Sequence, residues 1–461
     1  MNAIPLAALP ERLPTRRYLG YGLGDFAFNF YWLPLQVFLL KYYTDVLGLD
    51  SGAAGIIVMI CLIWDGLVDP LIGIVANKTR TRFGRYRPYM LFGAIPLAVS
   101  FSFVFLPVPF HDIGLILYAL VTQLLFRTVY AAVNIPYGAM MASMTRDSME
   151  RNWLAGARML FAFSGSAVVG YATPRLVAWL GISHPDSAYF WSAAILSSLA
   201  TLVIFASYAL TEERLEPVAE QQRHPPLREL LRMLAGNTPF LQAAGAIALF
   251  GFASTVTSAS LPYFVQYYMR GEATMIGDLA SMIPFVQMLA ILPWTLISRY
   301  TGKRAAWIIG LLIATAALGV LMLVDKPDAT LVFVLVGITA FGSAAIAVNF
   351  WSIVPDTVEY GEWRSGVRVE GFVFGLVTLI QKSALGISSA FVGLYLVWIG
   401  YVPNQEQAPS TVDGLKLMFT LFPMIGMLAS CAVMLFYRLD AGTHARLVAE
   451  IAARSPARSA A

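Results

Sequence analysis

The 461-residue sequence contains few charged residues: Asp, Glu, Lys and Arg make up 13% of it, whereas hydrophobic residues make up 58%. A soluble domain would carry about 25% charged residues. Apolar runs recur along the whole length, and each is long enough to cross a hydrocarbon core of roughly 30 Å as a helix. The runs lack the period-two alternation of membrane strands, so we predict an all-α membrane protein.

The sequence is also poor in cysteine and histidine, with two and four residues respectively. Cys61 and Cys431 lie inside apolar runs, which predicts small core residues rather than a disulfide framework. The histidines fall in predicted loops or tails, and none is paired with a nucleophile or a second ligand: His111, His184, His224 and His444. We therefore expect no enzymatic activity, no cofactor and no nucleic-acid partner.

We expect no cleavable signal peptide. Residues 1–17 contain three prolines but no apolar core ahead of a small-residue cleavage site. The first apolar run begins near Leu19 and is long enough to remain in the membrane as a span.

The apolar runs predict twelve spans, at 18–45, 52–77, 89–109, 112–143, 154–180, 187–211, 239–268, 275–300, 305–325, 329–356, 369–400 and 412–438. The longest polar segment predicts a linker at 212–238, between a six-helix bundle at 1–211 and a second one, with a short tail, at 239–461. Two six-helix halves joined by a charged linker are typical of the major facilitator fold, in which the substrate binds between two pseudo-symmetric bundles.

Basic residues are concentrated in one alternating set of loops and in both tails. The other set contains only Lys41, Arg175, Arg270, Lys326 and Lys416. Because cytoplasmic loops carry the excess of Lys and Arg, both termini are predicted to be cytoplasmic. We expect a multi-pass protein of a bacterial-type inner membrane, in contact with the lipid bilayer and sufficient as a monomer.

Two carboxylates interrupt the second span. Asp65 and Asp69 are spaced i, i+4, which places them one turn apart on one face of a helix. An ionisable residue inside a span costs about 2.5–3.5 kcal/mol on insertion scales, and two like charges this close do not both ionise without a partner. A proton or another monovalent cation would neutralise them, so we predict a cation-binding site here.

Three basic residues inside spans are candidate counter-charges: Arg127, Arg158 and Lys382. They either take part in coupling or form permanent salt bridges that hold the bundle together, and the sequence leaves both alternatives open. Asp25, near the inner end of the first span, is expected to pair with arginines of the loops.

Two amide side chains fall well inside spans, Asn29 and Asn134. An amide is both donor and acceptor, so each is suited to binding sugar hydroxyls. Such amides also link helices to one another, and position alone does not separate the two roles. Trp351 is one of several aromatic residues suited to stacking on a sugar ring.

Motifs distributed along nearly the whole chain match a known family: GYGLGD at 20–25, YYTDVLGL at 42–49, IWDGLVDP at 63–70, TRTRFGRYRPY at 79–89, NIPYGAM at 134–140, MTRDSMERNWLAGAR at 144–158, VPDTVEYGEWRSGVRVEG at 354–371 and IGYVPNQEQ at 399–407. In these motifs the chain resembles the glycoside–pentoside–hexuronide:cation symporters, the branch of the major facilitators that includes the melibiose permeases. The second-span motif followed by the basic loop is the most specific part of the resemblance.

The resemblance implies functions for individual residues. Asp65 and Asp69 match the carboxylates that bind the coupling cation, Lys382 matches a lysine beside that site, and Arg158 matches an arginine of the sugar-binding region. The predicted substrate-binding residues are Asn29, Asn134, Arg158, Trp351 and Lys382.

The resemblance also implies a charged network that closes the cytoplasmic side. Its predicted members lie in or beside the loops after the second, fourth and tenth spans, and they are Arg80, Arg85, Arg146, Arg151, Asp356, Glu359, Glu362 and Arg368.

Several positions depart from the melibiose-permease pattern. Asn29 and Asn134 replace aspartates that hold the galactosyl group, and Gly138 replaces a stacking tryptophan. Val68 and Ala131 stand where the sodium site of those permeases has an asparagine and a threonine. Sodium requires several oxygen ligands and a proton requires only a carboxylate, so the sequence favours a proton over sodium as the coupling ion.

The sequence therefore predicts a secondary active transporter that imports a sugar or glycoside by symport with a proton or a sodium ion. A cation-coupled lipid or lysolipid carrier is an alternative, and it predicts an apolar cleft that opens to the bilayer. A facilitative transporter without coupling is a further alternative.

Overall fold

The computed structural model describes residues 13–145, 147–213 and 227–458, and these residues form helices and no β-strand. Twelve of the helices correspond in order to the predicted spans: α1 Thr15–Val37, α2 Ser51–Lys78, α3 Arg87–Val104, α4 Asp112–Met144, α5 Ser148–Gly181, α6 Ala188–Leu210, α7 Thr238–Tyr263, α8 Ala273–Thr301, α9 Lys303–Leu323, α10 Ala329–Ser365, α11 Glu370–Trp398 and α12 Pro409–Leu435.

Eleven of these helices are long and apolar enough to cross a membrane. The exception is α1, whose sequence includes Arg16, Arg17 and Asp25 and is less apolar than the others. A short helical turn and a π-helical turn, Leu39–Lys41 and Tyr42–Val46, follow α1 and continue the chain toward α2.

Some predicted boundaries were wrong. The helix α10 continues to Ser365, well past the predicted end at 356, and stops where Gly366 adopts the left-handed conformation at φ 72°. Two further helices lie in segments predicted as linker and tail, Leu227–Ala235 and Ala441–Arg458. Hydropathy did not detect these two helices because both are polar on average. The part of the linker at 214–226 lies outside the described residues.

Helix contacts repeat with an offset of six helices. In the first half, α1 packs on α5 and α6, α4 packs on α2 and α3, and α3 packs on α6; in the second half, α7 packs on α11 and α12, α10 on α8 and α9, and α9 on α12. The chain therefore forms two pseudo-symmetric six-helix bundles. They meet along α2 with α11 and along α5 with α8.

Because the twelve helices alternate in direction, their connections fall at two ends of the molecule. We call the end that carries both described termini, with the connections at 79–86 and 366–369, the basic end. The opposite end carries the connections at 47–50 and 399–408, among others.

The bundles touch closely toward the opposite end. A Cβ atom on Gly393 of α11 would lie 2.2 Å from the Ser51 carbonyl oxygen of α2, so only glycine permits this crossing. Arg175 of α5 pairs with Asp278 of α8 at 2.9 Å between Nη2 and Oδ1. Toward the basic end the helices diverge: Gly375 continues the α11 face that meets α2, yet a Cβ there would meet nothing within 4 Å.

Asp45 is the polar centre of this closed end. Its carboxylate accepts hydrogen bonds from Tyr401 Oη at 2.8 Å and Tyr267 Oη at 3.2 Å, both from the other bundle. The Asp45 backbone carbonyl accepts a hydrogen bond from Asn404 Nδ2 at 2.7 Å. Lys41 Nζ lies 2.5 Å from Asp45 Oδ2 and neutralises the carboxylate. Burial, and then the charge of Asp45, raise the pKa of Tyr401 well above its usual value, so this hydroxyl stays protonated and donates.

We predict that Asp45→Ala increases the fraction of molecules that are open at the opposite end. A hydrogen bond to a charged group contributes about 1.5–3 kcal/mol, and this change removes two that cross between the bundles. Distance distributions between spin labels on the α3–α4 and α9–α10 connections will measure the opening. The matched control is Asp325→Ala, because within the described part of the chain that exposed carboxylate at the same end pairs only with Lys416 of its own bundle. Identical distributions for both variants would contradict the prediction.

Candidate functional site

A pair of buried carboxylates lies midway along α2. Asp65 and Asp69 are one turn apart, and only 1% and 8% of their surfaces are exposed. An ionised carboxylate at this depth carries a large desolvation penalty unless a neighbouring group compensates it.

Two basic side chains neutralise the pair. Lys382 Nζ of α11 lies 2.5 Å from Asp69 Oδ2 and 2.9 Å from Asp65 Oδ2. Arg127 Nη1 of α4 lies 3.5 Å from Asp65 Oδ2, and its guanidinium lies 5.5 Å from the centre of the Trp32 ring. We call Asp65, Asp69, Arg127 and Lys382 the four-charge cluster; its two negative and two positive groups balance.

The cluster joins the two bundles. A Cβ atom on Gly66 would lie 2.8 Å from Leu379 Cδ1 and 3.6 Å from Lys382 Cβ, so glycine lets α11 lie against the turn that carries Asp65. Asp65, Asp69 and Arg127 belong to the first bundle and Lys382 belongs to the second. Any separation of α2 from α11 must therefore break the contacts of Lys382.

The side chains of the cluster offer few oxygen ligands for a sodium ion. Val68 and Ala131 are buried one turn from its members and supply no side-chain oxygen. Asp65 Oδ1, Asp65 Oδ2 and Asp69 Oδ1 accept no hydrogen bond within the described residues, but these three oxygens are fewer than a hard cation uses. Across the described ranges no three His, Cys, Asp or Glu side chains are grouped to hold a metal ion.

A second ionic group lies between α1 and α5. Arg158 donates two hydrogen bonds to the Asp25 carboxylate, from Nε to Oδ2 at 2.5 Å and from Nη2 to Oδ1 at 3.2 Å. Tyr137 Oη of α4 donates to the same Asp25 Oδ2 at 2.7 Å, and the guanidinium lies over the Tyr21 and Tyr137 rings. The expectation that Asp25 pairs with loop arginines was wrong. The close packing of α1 on α5 places Arg158 at the same depth as Asp25.

The two predicted amides have different environments. Asn29 Nδ2 donates to the Asp25 carbonyl and Oδ1 accepts from Ser166 Oγ, both at 2.8 Å, so this side chain links α1 to α5. Asn134 is half-buried and makes no hydrogen bond with the described residues. It lies two turns after Arg127, on the same face of α4.

Trp351 lies apart from these groups. It is 46% exposed on α10, toward the basic end, and stacks parallel to Phe374 of α11 with ring centres 6.5 Å apart. Lys382 is held in the four-charge cluster by both carboxylates rather than standing free as a substrate ligand.

The predicted cytoplasmic network makes no contact between the bundles among the described residues. In the first bundle, Arg80 donates to the Asn77 and Thr79 carbonyls, Arg85 to Asn77 Oδ1 at 3.1 Å, and Arg151 to the Thr145 carbonyl at 3.1 Å. Arg146 lies outside the described residues.

The second bundle pairs its own charges in the same way. Asp356 binds Lys303 at 2.6 Å, Glu359 binds His444, and Arg368 binds Glu362 at 3.1 Å. Among the described members of the network, the expected closure of the basic end is thus absent from this conformation, because the bundles diverge there and each of these groups finds a partner in its own bundle.

Sequence reasoning missed several polar contacts near the ends of the helices. Glu213, just after α6, accepts hydrogen bonds from the backbone amides of Arg85, Tyr86 and Arg87 at 2.7–2.8 Å and so caps α3. Asp45 lies within the motif YYTDVLGL, but the motif alone did not reveal which residues of the other bundle approach it.

A cavity of about 830 Å³ lies between α1, α5 and α8 near the basic end. Apolar residues predominate in its lining, including Trp153, Leu160, Met288 and Leu292. Its polar groups are Tyr18 and Glu150, which hydrogen-bond to each other. Trp153 and Leu292 are exposed on the outside of the bundle, so the cavity opens to the bilayer region.

Two six-helix bundles that are closed at one end and open at the other, with balanced buried charges at their interface, define a membrane transporter of the major facilitator fold. Residues 20–441 match the family model described as MFS/sugar transport protein. The chain belongs to this family and, within it, to the glycoside–pentoside–hexuronide:cation symporters.

Relatives cover nearly the whole chain. It is 31% identical to an uncharacterised symporter, YnaJ, of Bacillus subtilis, over 94% of each chain. It is 32% identical to the isoprimeverose transporter of Lactiplantibacillus pentosus, over 93% of this chain and 89% of that one. A crystal structure of a bacterial homologue of the human lysosomal transporter Spinster, inward-facing and unoccupied, shares the fold with a TM-score of 0.68 at 14% identity, over 96% of this chain and 99% of that one.

We predict that Asp25→Ala destabilises the protein by about 1–3 kcal/mol, because it leaves the part-buried guanidinium of Arg158 without its carboxylate. The midpoint of thermal unfolding in detergent measures the loss. Asp278→Ala is the control, because its ion pair with Arg175 is more exposed and contributes about 1 kcal/mol or less. Equal losses for the two variants would show that the Asp25–Arg158 pair has no special structural role.

Proposed function

We propose that this sugar transporter imports a glycoside by symport with a proton, through alternating access of the two bundles. The observation that carries the proposal is the four-charge cluster, which places two carboxylates of one bundle on a lysine of the other. Protonation of a carboxylate would weaken its hold on Lys382, and the contact between α2 and α11 depends on that hold. Cation binding would in this way change how readily the bundles separate.

The region between α1, α4 and α5 indicates the class of substrate. Arg158 already has a carboxylate partner in Asp25, so the pair is electrically neutral and does not demand an acidic group on the ligand. Asn134 offers a free donor and acceptor there, whereas the exposed ring of Trp351 lies apart from it on α10. An unpaired amide near a charge-neutral arginine–aspartate pair suits the hydroxyls of a neutral sugar. The named substrate of the Lactiplantibacillus relative, isoprimeverose, supports the same class.

The orientation follows from the charge asymmetry of the loops. We propose that the basic end is cytoplasmic, in a bacterial-type inner membrane, so that this conformation faces inward. The protein would work as a monomer, because both bundles and the interface between them come from one chain.

The proposal predicts that purified protein in proteoliposomes accumulates a labelled glycoside when a pH gradient, acidic outside, is imposed. Asp69→Asn should abolish accumulation and leave exchange of internal for external substrate, because the variant cannot link an ion to the movement of Lys382. Asp50→Asn is a matched control: it lies on the same helix, and Asn caps a helix N-terminus as well as Asp does.

Three other results would change the conclusion. Accumulation that requires a sodium gradient would keep the symporter and replace the ion. Exchange without accumulation by the wild type would show a facilitative transporter. Accumulation by Asp69→Asn equal to that of the wild type would remove the proposed coupling site.

A lipid or lysolipid carrier is the second candidate, and the apolar cavity between α1, α5 and α8 favours it. If the cavity receives an acyl chain, Trp153→Ala should lower uptake of a labelled lysophospholipid about tenfold and leave glycoside uptake unchanged. Uptake of glycoside but not of lysophospholipid by the wild type would reject this candidate.

A further inference from the structure

The four-charge cluster contains two cations of its own. Arg127 and Lys382 together balance Asp65 and Asp69, so the group is neutral without any ion from solution. The surrounding side chains also lack the oxygens of a sodium site, as Val68 and Ala131 show. This chain belongs to a family of cation symporters, yet its four-charge cluster does not fit a metal ion.

The two cations are not equivalent. Lys382 is on α11 of the second bundle, so alternating access must change its distance from the carboxylates. Arg127 is on α4, which packs directly on α2 within the first bundle, and it moves together with Asp65. The pair of Arg127 with Asp65 is therefore the part of the cluster that a rigid movement of the bundles preserves.

The environment of Arg127 suits a permanent charge. Only 3% of its surface is exposed, and the Trp32 ring covers the guanidinium. A guanidinium does not lose its proton in proteins, so this positive charge is present throughout the cycle. It lies 3.5 Å from an Asp65 side chain with no exposed surface, where an unbalanced charge would be most costly.

We propose that Arg127 is a resident cation for Asp65 and is the residue that makes transport independent of sodium. Its guanidinium supplies the positive charge that an ion from solution would otherwise supply at that carboxylate. The proposal rests on the proposed symport and assigns its ion selectivity to one side chain. Without Arg127, the remaining Asp65, Asp69 and Lys382 would carry one excess negative charge in a buried site, and a sodium ion could balance it.

The test compares the wild type, Arg127→Gln and Arg127→Lys for uptake at one fixed pH with sodium or choline as the external cation. We expect no sodium effect for the wild type or for Arg127→Lys, which keeps the charge. For Arg127→Gln we expect sodium to stimulate uptake about tenfold, the factor that corresponds to roughly 1.4 kcal/mol. A sodium-dependent wild type, or an Arg127→Gln variant that sodium leaves unchanged, would overturn the proposal.

A charge-balanced double variant separates this role from a purely structural one. Asp65→Asn alone leaves the buried guanidinium of Arg127 without its carboxylate and should lose substrate exchange, whereas Asp65→Asn with Arg127→Gln removes both members of that pair and should recover sodium-independent exchange. A double variant that folds, by its elution profile and unfolding midpoint, but transports no better than Asp65→Asn would contradict the proposal. If Arg127→Gln itself does not fold, the double variant carries the test.

Binding of radioactive sodium to the purified proteins distinguishes the failure of this proposal from failure of the proposed symport. We expect saturable binding by Arg127→Gln and none by the wild type, whichever solute is transported. If the wild type accumulates no glycoside under any gradient but this binding difference is found, the symport proposal fails and the assignment to Arg127 stands. Saturable binding by the wild type would refute the assignment.

Discussion

Two carboxylates buried in the middle of a membrane helix are the constraint around which this molecule is arranged. Asp65 and Asp69 cannot remain ionised at that depth without partners, because the desolvation penalty of each is several kcal/mol. The partners come from different places: Arg127 from the same bundle and Lys382 from the other. The contact of α2 with α11 is therefore both the main crossing between the bundles and the place where charge is balanced.

The two ends of the molecule use polar groups in opposite ways. At the opposite end, Asp45 receives hydrogen bonds from Tyr267 and Tyr401 across the interface, and glycines bring the helix backbones together. At the basic end, charges such as Asp356 and Arg368 are held by neighbours of their own bundle. If these groups exchanged partners in their own bundle for partners in the other bundle, the basic end would close. Exposed ion pairs are similar in strength, so this exchange would cost little free energy.

The sequence was sufficient to predict the order of the twelve spans, because long apolar runs form helices in a membrane. The fold was predicted from the two six-helix halves and from the family resemblance. The sequence also predicted that Lys382 lies beside Asp65 and Asp69. It failed for Asp25, since the partner of a charge inside a bundle depends on which helices pack together. It failed for Ala441–Arg458 because a polar surface helix has no hydropathy signal, and for the partners of Asp45 because these come from residues more than 200 positions away.

The two ionic groups of the first bundle are connected by packed rings. Trp32 covers Arg127 and lies near Tyr130; Tyr130 contacts Phe28, Phe28 contacts Tyr137, and Tyr137 donates to Asp25. Because these rings are packed within one bundle, the distance between the four-charge cluster and the Asp25–Arg158 pair stays nearly fixed while the bundles move. Lys382 is the one member of either group that belongs to the second bundle. In the proposed symport, coupling between ion and sugar would therefore act through the contact of Lys382 with the carboxylates, and not through relative movement of the two groups.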